Sequence, residues 1–209
     1  MLTFHNFIKN YGSFNALNIH DLNIPDGAHW IKGENGSGKT TLFKSLAGLL
    51  PFEGDVILNN NISAKRNPVH YRRLVNYSEA EPIYPTFVTA KDLIRFVGKA
   101  KGASRTQQDE ITELFQINLY ADKPCQTYSS GMLKKLSLGL SFLGSPQWII
   151  LDEPLITLDG HARQLLFQKI HNEVTRGVNF LISSHQLIEH TELKIDQTYS
   201  VENKTLTRY

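Results

Sequence analysis

One cysteine, Cys125, in 209 residues excludes an internal disulfide and fits a reducing compartment. Long apolar runs are missing as well. The most apolar windows, "LSLGLSFLG" and "WIIL", are far shorter than the ~20 residues a membrane span needs. Charge of one sign is not in excess, since the formal net charge is +2, and no nucleic-acid partner is expected on that ground. The opening "MLTFHNFIKNYG" lacks the apolar core and small-residue cleavage site of a secretory signal. Internal repeats, low-complexity tracts and linkers are also missing, which excludes solenoids and beads on a string. What is there is an ordinary globular composition, 41% hydrophobic and 20% charged. It is long enough for one substantial domain that buries a core without staples.

Strand and helix patterns alternate along the chain. The first 25 residues and "GDVILN" (54–59) read as short strands, and Asn59, Asn60 and Asn61 supply a turn. "AHWIKG" reads as a strand and "KTTLFKSLAGLL" as the helix after it, ending near Gly48 and Pro51. Between Thr89 and Ser145 the pattern is helical, in "AKDLIRFVGKA", "QQDEITELFQI" and "GMLKKLSLGLSFLG". "QWIILDEP" and "VNFLISSH" then read as buried strands flanking the helix "HARQLLFQKIHNEV". Such alternation predicts a parallel α/β core, with the helical block as a smaller inserted lobe.

Between the first core strand and its helix lies "GENGSGKT" (33–40), the pattern of a phosphate-binding loop. Gly33, Gly36 and Gly38 permit torsions and close approaches that side chains would block. Backbone amides over residues 36–41 then point inward, and the helix N-terminus faces the phosphates. Lys39 is expected to bridge the β- and γ-phosphates and Thr40 to ligate magnesium. The cradle as a whole comprises Gly33, Asn35, Gly36, Ser37, Gly38, Lys39, Thr40 and Thr41.

"WIILDEP" supplies a second set of groups. Asp152 stands at the carboxyl end of an apolar strand, where ligands sit in open α/β sheets. It is expected to hold magnesium, with Glu153 polarising the attacking water.

Taken with those two motifs, the chain resembles the nucleotide-binding domain of an ATP-binding cassette (ABC) protein over essentially its whole length. "YSSGM" (128–132) is similar to the family's Leu-Ser-Gly-Gly-Gln signature, with Ser129 and Gly131 on its Ser and second Gly. "ITLD" matches the loop after the catalytic strand and places Asp159 there. His185 matches the switch histidine that contacts the γ-phosphate, and Tyr11 the aromatic that stacks on adenine. The resemblance implies a P-loop NTPase fold of the ABC type: a mostly parallel core sheet, an N-terminal antiparallel β subdomain and an inserted helical subdomain. Core and β subdomain would span about 1–85 and 146–209, and the helical subdomain about 86–145.

The chain departs from the family where "YSEAEPIYP" puts Ala80 on the usual glutamine. Glu79 and Glu81 are the neighbours able to substitute. Ser130 and Met132 also replace the first glycine and the glutamine of the signature.

Carried over from the family, two ATP molecules are sandwiched between two domains, each contributing its signature serine to the other's nucleotide. One chain holds one set of motifs, so the resemblance implies a homodimer or pairing with a second ABC domain. The expected activity is ATP hydrolysis driving a separately encoded membrane-spanning subunit, for export, with the chain peripheral on the cytoplasmic face of the membrane. The chain's short length and compact C-terminus resemble those of the small exporter ATPases, including the haem-exporter type. Two other readings stay open: a soluble ABC ATPase, and an ATP-gated binding module without turnover. A cleft for the membrane subunit is expected beside residue 80, with Ile83, Tyr84, Phe87 and Val88 either lining it or joining the helical core.

Overall fold

The computed structural model describes residues 1–184 and 193–209. The chain opens with β1 (Leu2–Tyr11) and β2 (Phe14–Ile24), an antiparallel hairpin turning at Gly12, φ 57°. Sequence patterning predicts short strands here, yet these run 10 and 11 residues. A bulge explains both the length and the weak pattern. Buried parity switches from Leu2 and Phe4 to Phe7, the register slips between His5 and Ile8, and Asn6 sits at φ 46°. Gly54 fits against this bulge, because a Cβ there would lie 2.0 Å from the Asn6 carbonyl oxygen. β4 (Glu53–Leu58) and β5 (Ile62–Ser63) complete a four-stranded sheet, order β2-β1-β4-β5. The turn between them carries Asn59 and Asn60 at φ 49° and 63°, as the asparagine run predicts.

The second sheet holds β3 (Ala28–Lys32), β6 (Val75–Ser78), β7 (Trp148–Leu151), β8 (Asn179–Ser183), β9 (Gln197–Glu202) and β10 (Thr205–Arg208). Its order is β10-β9-β3-β8-β7-β6, and every pair is parallel except β10 with β9. The central strands β7 and β8 are buried throughout because both faces are covered. Trp148, Ile150 and Leu181 pack with the antiparallel sheet and α1 (Lys39–Leu46). Ile149, Leu151, Phe180 and Ile182 pack with the helices of the other face. A mostly parallel core with an antiparallel N-terminal sheet is thus the observed architecture.

α2 (Pro68–Leu74) leads into edge strand β6. Sequence patterning misses both, because "VNYS" offers four mixed residues where a strand signal needs a longer run. Between β6 and β7 come α3 (Ala90–Lys101), α4 (Arg105–Leu114) and α5 (Ser130–Ser141), and α6 (Gly160–Thr175) precedes β8. Side-chain caps start these helices: Thr89 with Asp92 in a reciprocal box, Ser104, Ser129 and Asp159. Asn76 ties β6 to the end of α5 by donating to the carbonyls of Ser141 and Leu143 at 2.8 and 2.9 Å.

Lys101, at the end of α3, clamps α3 to the α2–β6 junction by donating to the carbonyls of Arg72 and Val75. Burial, with Arg72 adding to it, pulls the Lys101 pKa down to about 8. An unfolded lysine titrates near 10.4, so between those values the unfolded chain binds more protons. Stability therefore gains a contribution as pH rises from 8 towards 10, because a neutral amine still donates to both carbonyls. In urea unfolding at pH 8 and 10, the wild type should gain midpoint relative to Lys101→Met as pH rises. Equal changes in the two proteins would contradict this.

Candidate functional site

Residues 33–38 leave β3 as a loop with Gly33, Gly36 and Gly38 at φ 151°, 80° and 110°. A Cβ on Gly33 would meet the Ser37 Oγ at 2.5 Å and the Val201 carbonyl at 2.8 Å, so only glycine fits. Gly38 caps α1, whose first turn carries no acidic residue, leaving its positive end free for an anion. The Lys39 ammonium folds back over the loop, donating to the carbonyls of Gly33 (2.7 Å) and Glu34 (3.0 Å). Burial lowers its pKa, opposed by the charges of Glu153 and Asp152. Ser37 Oγ is buried with no hydrogen-bond partner among the described residues.

At the end of β7 the Asp152 side chain is fully buried. Its Oδ2 accepts from the Thr40 hydroxyl at 2.7 Å and from the Tyr77 hydroxyl at 3.3 Å. Oδ1 accepts from the Ser183 hydroxyl at 2.6 Å, and the same Ser183 oxygen accepts from the Glu153 N–H at 2.9 Å. Glu153 stands at φ 45°, a conformation strained for a non-glycine residue. Burial, with Asp152 close by, raises the Tyr77 pKa and keeps its hydroxyl protonated.

These groups surround a cavity of about 420 Å³ lined by Asn35, Gly36, Gly38, Lys39, Thr40, Thr41, Ala80, Glu81, Asp152, Glu153 and Ile156. The donor set suits a nucleotide phosphate chain with a divalent ion. Among the described residues there is no cluster of three His, Cys, Asp or Glu that would hold a metal alone. Thr40 and Asp152 offer two oxygen ligands, the number Mg²⁺ takes when phosphates and water complete its shell.

Of the two carboxylates beside Ala80, Glu81 faces this cavity. Glu79 points the other way, with Lys44 at 3.5 Å, and lines a separate groove. Ser129 and Gly131, at the start of α5, lie in a different cleft of about 450 Å³ with Asp159, Thr157 and Lys135. A Cβ on Gly131 would approach the Thr157 carbonyl at 3.1 Å. Ser129 accepts from the Met132 N–H at 3.2 Å. Asp159 accepts from the Ala162 N–H at 2.8 Å and pairs with Lys135 at 3.1 Å. Those contacts, the amide first, hold its pKa below the usual carboxylate range.

Tyr11 is at the hairpin tip, 47% exposed, with the Lys9 ammonium 4.6 Å over its ring. It does not line the phosphate cavity. His185 lies outside the described residues. Of the four residues assigned to the cleft or the helical core, Tyr84 lines the groove and packs against the core as well. Val88 packs against the helical core, while Ile83 and Phe87 are 89% and 80% exposed.

The comparison with known proteins fits this geometry. A family model described as "ABC transporter" matches residues 17–156. The chain belongs to the ABC transporter family. Bacillus subtilis "Uncharacterized ABC transporter ATP-binding protein YhaQ" is 31% identical over 202 residues, 92% of this chain and 65% of that protein. "Lantibiotic transport ATP-binding protein SrtF" of Streptococcus pyogenes is 31% identical over 191 residues, 90% of this chain and 82% of its own length. Mouse "ATP-binding cassette sub-family A member 7" is 30% identical over 80% of this chain, which spans 8% of that protein. A solved structure titled "Structure of ATP binding subunit of ABC transporter" superposes with TM-score 0.88 at 23% identity, covering 100% of this chain and 89% of the other. A post-hydrolysis ATP-binding cassette dimer bound to ADP and Pi superposes with TM-score 0.78 at 19% identity, covering 100% and 97%. Both solved structures confirm the ABC ATPase fold.

Sequence reasoning missed Ser183 and Tyr77. The available signal for Ser183 was a hydroxyl ending a strand, "NFLIS", that is otherwise buried and mostly apolar. Ser183→Ala would remove the hydroxyl that accepts from the Glu153 N–H and donates to the buried Asp152 carboxylate. The variant should lose about 1–3 kcal/mol of stability by urea unfolding, and an unmoved midpoint would contradict the bridge.

Proposed function

We propose that this ABC protein is the ATP-hydrolysing subunit of a membrane exporter, and that two copies close around two ATP molecules. The observation that carries the reading is the separation of two half-sites. The phosphate cavity and the Ser129 cleft share no lining residue, so a nucleotide on one copy's loop meets the signature of a second copy. The cassette dimer to which the chain is structurally similar supports the same arrangement.

In this reading Lys39 leaves the loop carbonyls for the β- and γ-phosphates, and the amides of residues 36–41 bind phosphate oxygens. Tyr11, exposed, stacks on the adenine. Thr40 and Asp152 hold Mg²⁺, which supplies charge neutralisation on the phosphates. Glu153, positioned by Ser183, polarises a water whose oxygen attacks the γ-phosphorus. The bond to the bridging oxygen breaks, ADP leaves, and the carboxylate takes the proton. His185 and the partner's Ser129 contact the γ-phosphate, and Asp159 supports that face. Loss of the γ-phosphate then weakens the closed pair, so turnover is converted into opening and closing.

A groove of about 500 Å³ beside the site, with Leu49, Val69, Val97 and Leu140 on its walls and Arg72, Arg73 and Lys101 among its charges, is where a separately encoded membrane subunit docks. No helix among the described residues is long and apolar enough to cross a membrane. Attachment to the cytoplasmic face through that subunit is part of the proposal. Lantibiotic transport and Nod factor export appear in the names of relatives, which favours the export direction.

The purified chain should hydrolyse ATP. Glu153→Gln should abolish turnover, keep ATP binding and accumulate a dimer in Mg²⁺ and ATP by light scattering. Lys39→Ala should weaken ATP binding roughly a hundredfold or more, the equivalent of losing charge-assisted contacts worth about 3 kcal/mol. Wild-type binding without turnover would favour an ATP-gated module. Unchanged turnover in Glu153→Gln would refute the role of Glu153.

A further inference from the structure

Lys134 is a cation buried where a hydrophobic residue would be expected. It lies in α5, one turn and a residue past Ser129, and is 1% exposed. Its ammonium donates to the carbonyl oxygens of Glu79 (2.7 Å), Ala80 (3.2 Å) and Asp152 (2.9 Å). An ammonium has three protons, so three main-chain acceptors use them all. Burying a charge is costly unless each proton is satisfied, and here the three protons join three main-chain positions to one helix.

The three acceptors belong to segments leaving the carboxyl ends of β6 and β7, neighbours in the sheet. Ser137, about one turn later on α5, also holds this segment. Its hydroxyl lies 2.9 Å from that of Ser78 and accepts from the Glu79 N–H at 3.2 Å. Lys134 and Ser137 together hold residues 78–80 by both N–H and C=O groups, and Lys134 continues to the main chain of Asp152. The side chain of Ala80 is a methyl group with nothing to contribute to this link. The helix so anchored is the one whose N-cap is Ser129.

Resting on the ATPase reading above, we propose that Lys134 is a positioning residue for hydrolysis. It couples the helix bearing Ser129 and Gly131 to Asp152 and to the loop at Ala80, through the main chain in place of a side-chain link from position 80. A shift of α5 when a second copy engages Ser129 is passed directly to the strand end that carries Asp152 and Glu153.

The test compares the full-length wild type with Lys134→Met, Lys134→Arg and Lys134→Gln. Steady-state ATPase and peptide-resolved hydrogen exchange are the two readouts. Lys134→Met has the length without the protons. It should lower kcat by roughly tenfold or more, as loss of an outer-shell partner does at comparable sites. KM for ATP should stay within about twofold, because the phosphate loop is untouched. Lys134→Arg should recover much of the loss, with Lys134→Gln between them. Exchange at residues 79–82 and 152–156 should quicken in Lys134→Met while α5 itself stays protected. A folded Lys134→Met with wild-type kcat would overturn the proposal, as would a loss spread over kcat and KM that arginine does not restore. Should Lys134→Met not fold, a kcat order of wild type, Arg, Gln at constant KM decides in favour, and equal values decide against. Wild type without turnover would refute the ATPase reading instead. Lys134 would then be judged on exchange alone, and unaltered exchange at 79–82 would end the proposal.

Discussion

A carboxylate without solvent sits at the end of β7, and the arrangement of the rest of the molecule depends on satisfying it. Asp152 accepts from Thr40 on α1, Tyr77 on β6 and Ser183 on β8, while its carbonyl accepts from Lys134 on α5. Four elements far apart in the chain thus converge on one residue. Removing the carboxylate from water is costly without such partners, so α1, β6 and β8 are each fixed in place by the need to supply it a proton. The strained φ of Glu153 is held by the same set, through the Ser183 oxygen.

From that joint the geometry divides in two. The phosphate loop and the two carboxylates face one cavity, whereas Ser129, Gly131 and Asp159 face another, and Lys134 on α5 donates to the Asp152 carbonyl beside the first. In the proposed reading a single copy therefore carries two half-sites that do not meet. That reading assigns the activity to a pair, and the Lys134 contacts link the helix of one half-site to the strand end of the other. The Tyr77 ring lines the groove while its hydroxyl touches Asp152, giving the groove proposed for the membrane subunit its own contact with the same carboxylate.

Much of this was legible in the residues. The loop "GENGSGKT" is a local device, since positive φ values and a helix N-terminus follow from glycines and spacing alone. "WIIL" and "NFLIS" announce buried strands by composition. The α2–β6 segment (68–78) and the final β9–β10 hairpin were not readable, because their elements are short, polar-studded and held by neighbours. Nor was Lys134, which in sequence is one of two lysines in "LKKL" and looks like the solvated face of an amphipathic helix. The fold turns one of that pair inward and leaves its neighbour Lys135 with Asp159. The choice between Glu79 and Glu81 likewise needed the direction of one side chain, which strand parity alone does not give once the strand has ended.

The central claim is that one copy's phosphate loop works with another copy's signature helix. Mixing two inactive variants, Lys39→Ala and Ser129→Phe, tests it most directly, because a mixed pair contains one intact loop facing one intact signature. ATP turnover that reappears on mixing, when neither variant alone has any, is the result this account predicts. A mixture as inactive as its components, though both variants fold and Ser129→Phe still binds ATP, would contradict pairing between copies of this chain.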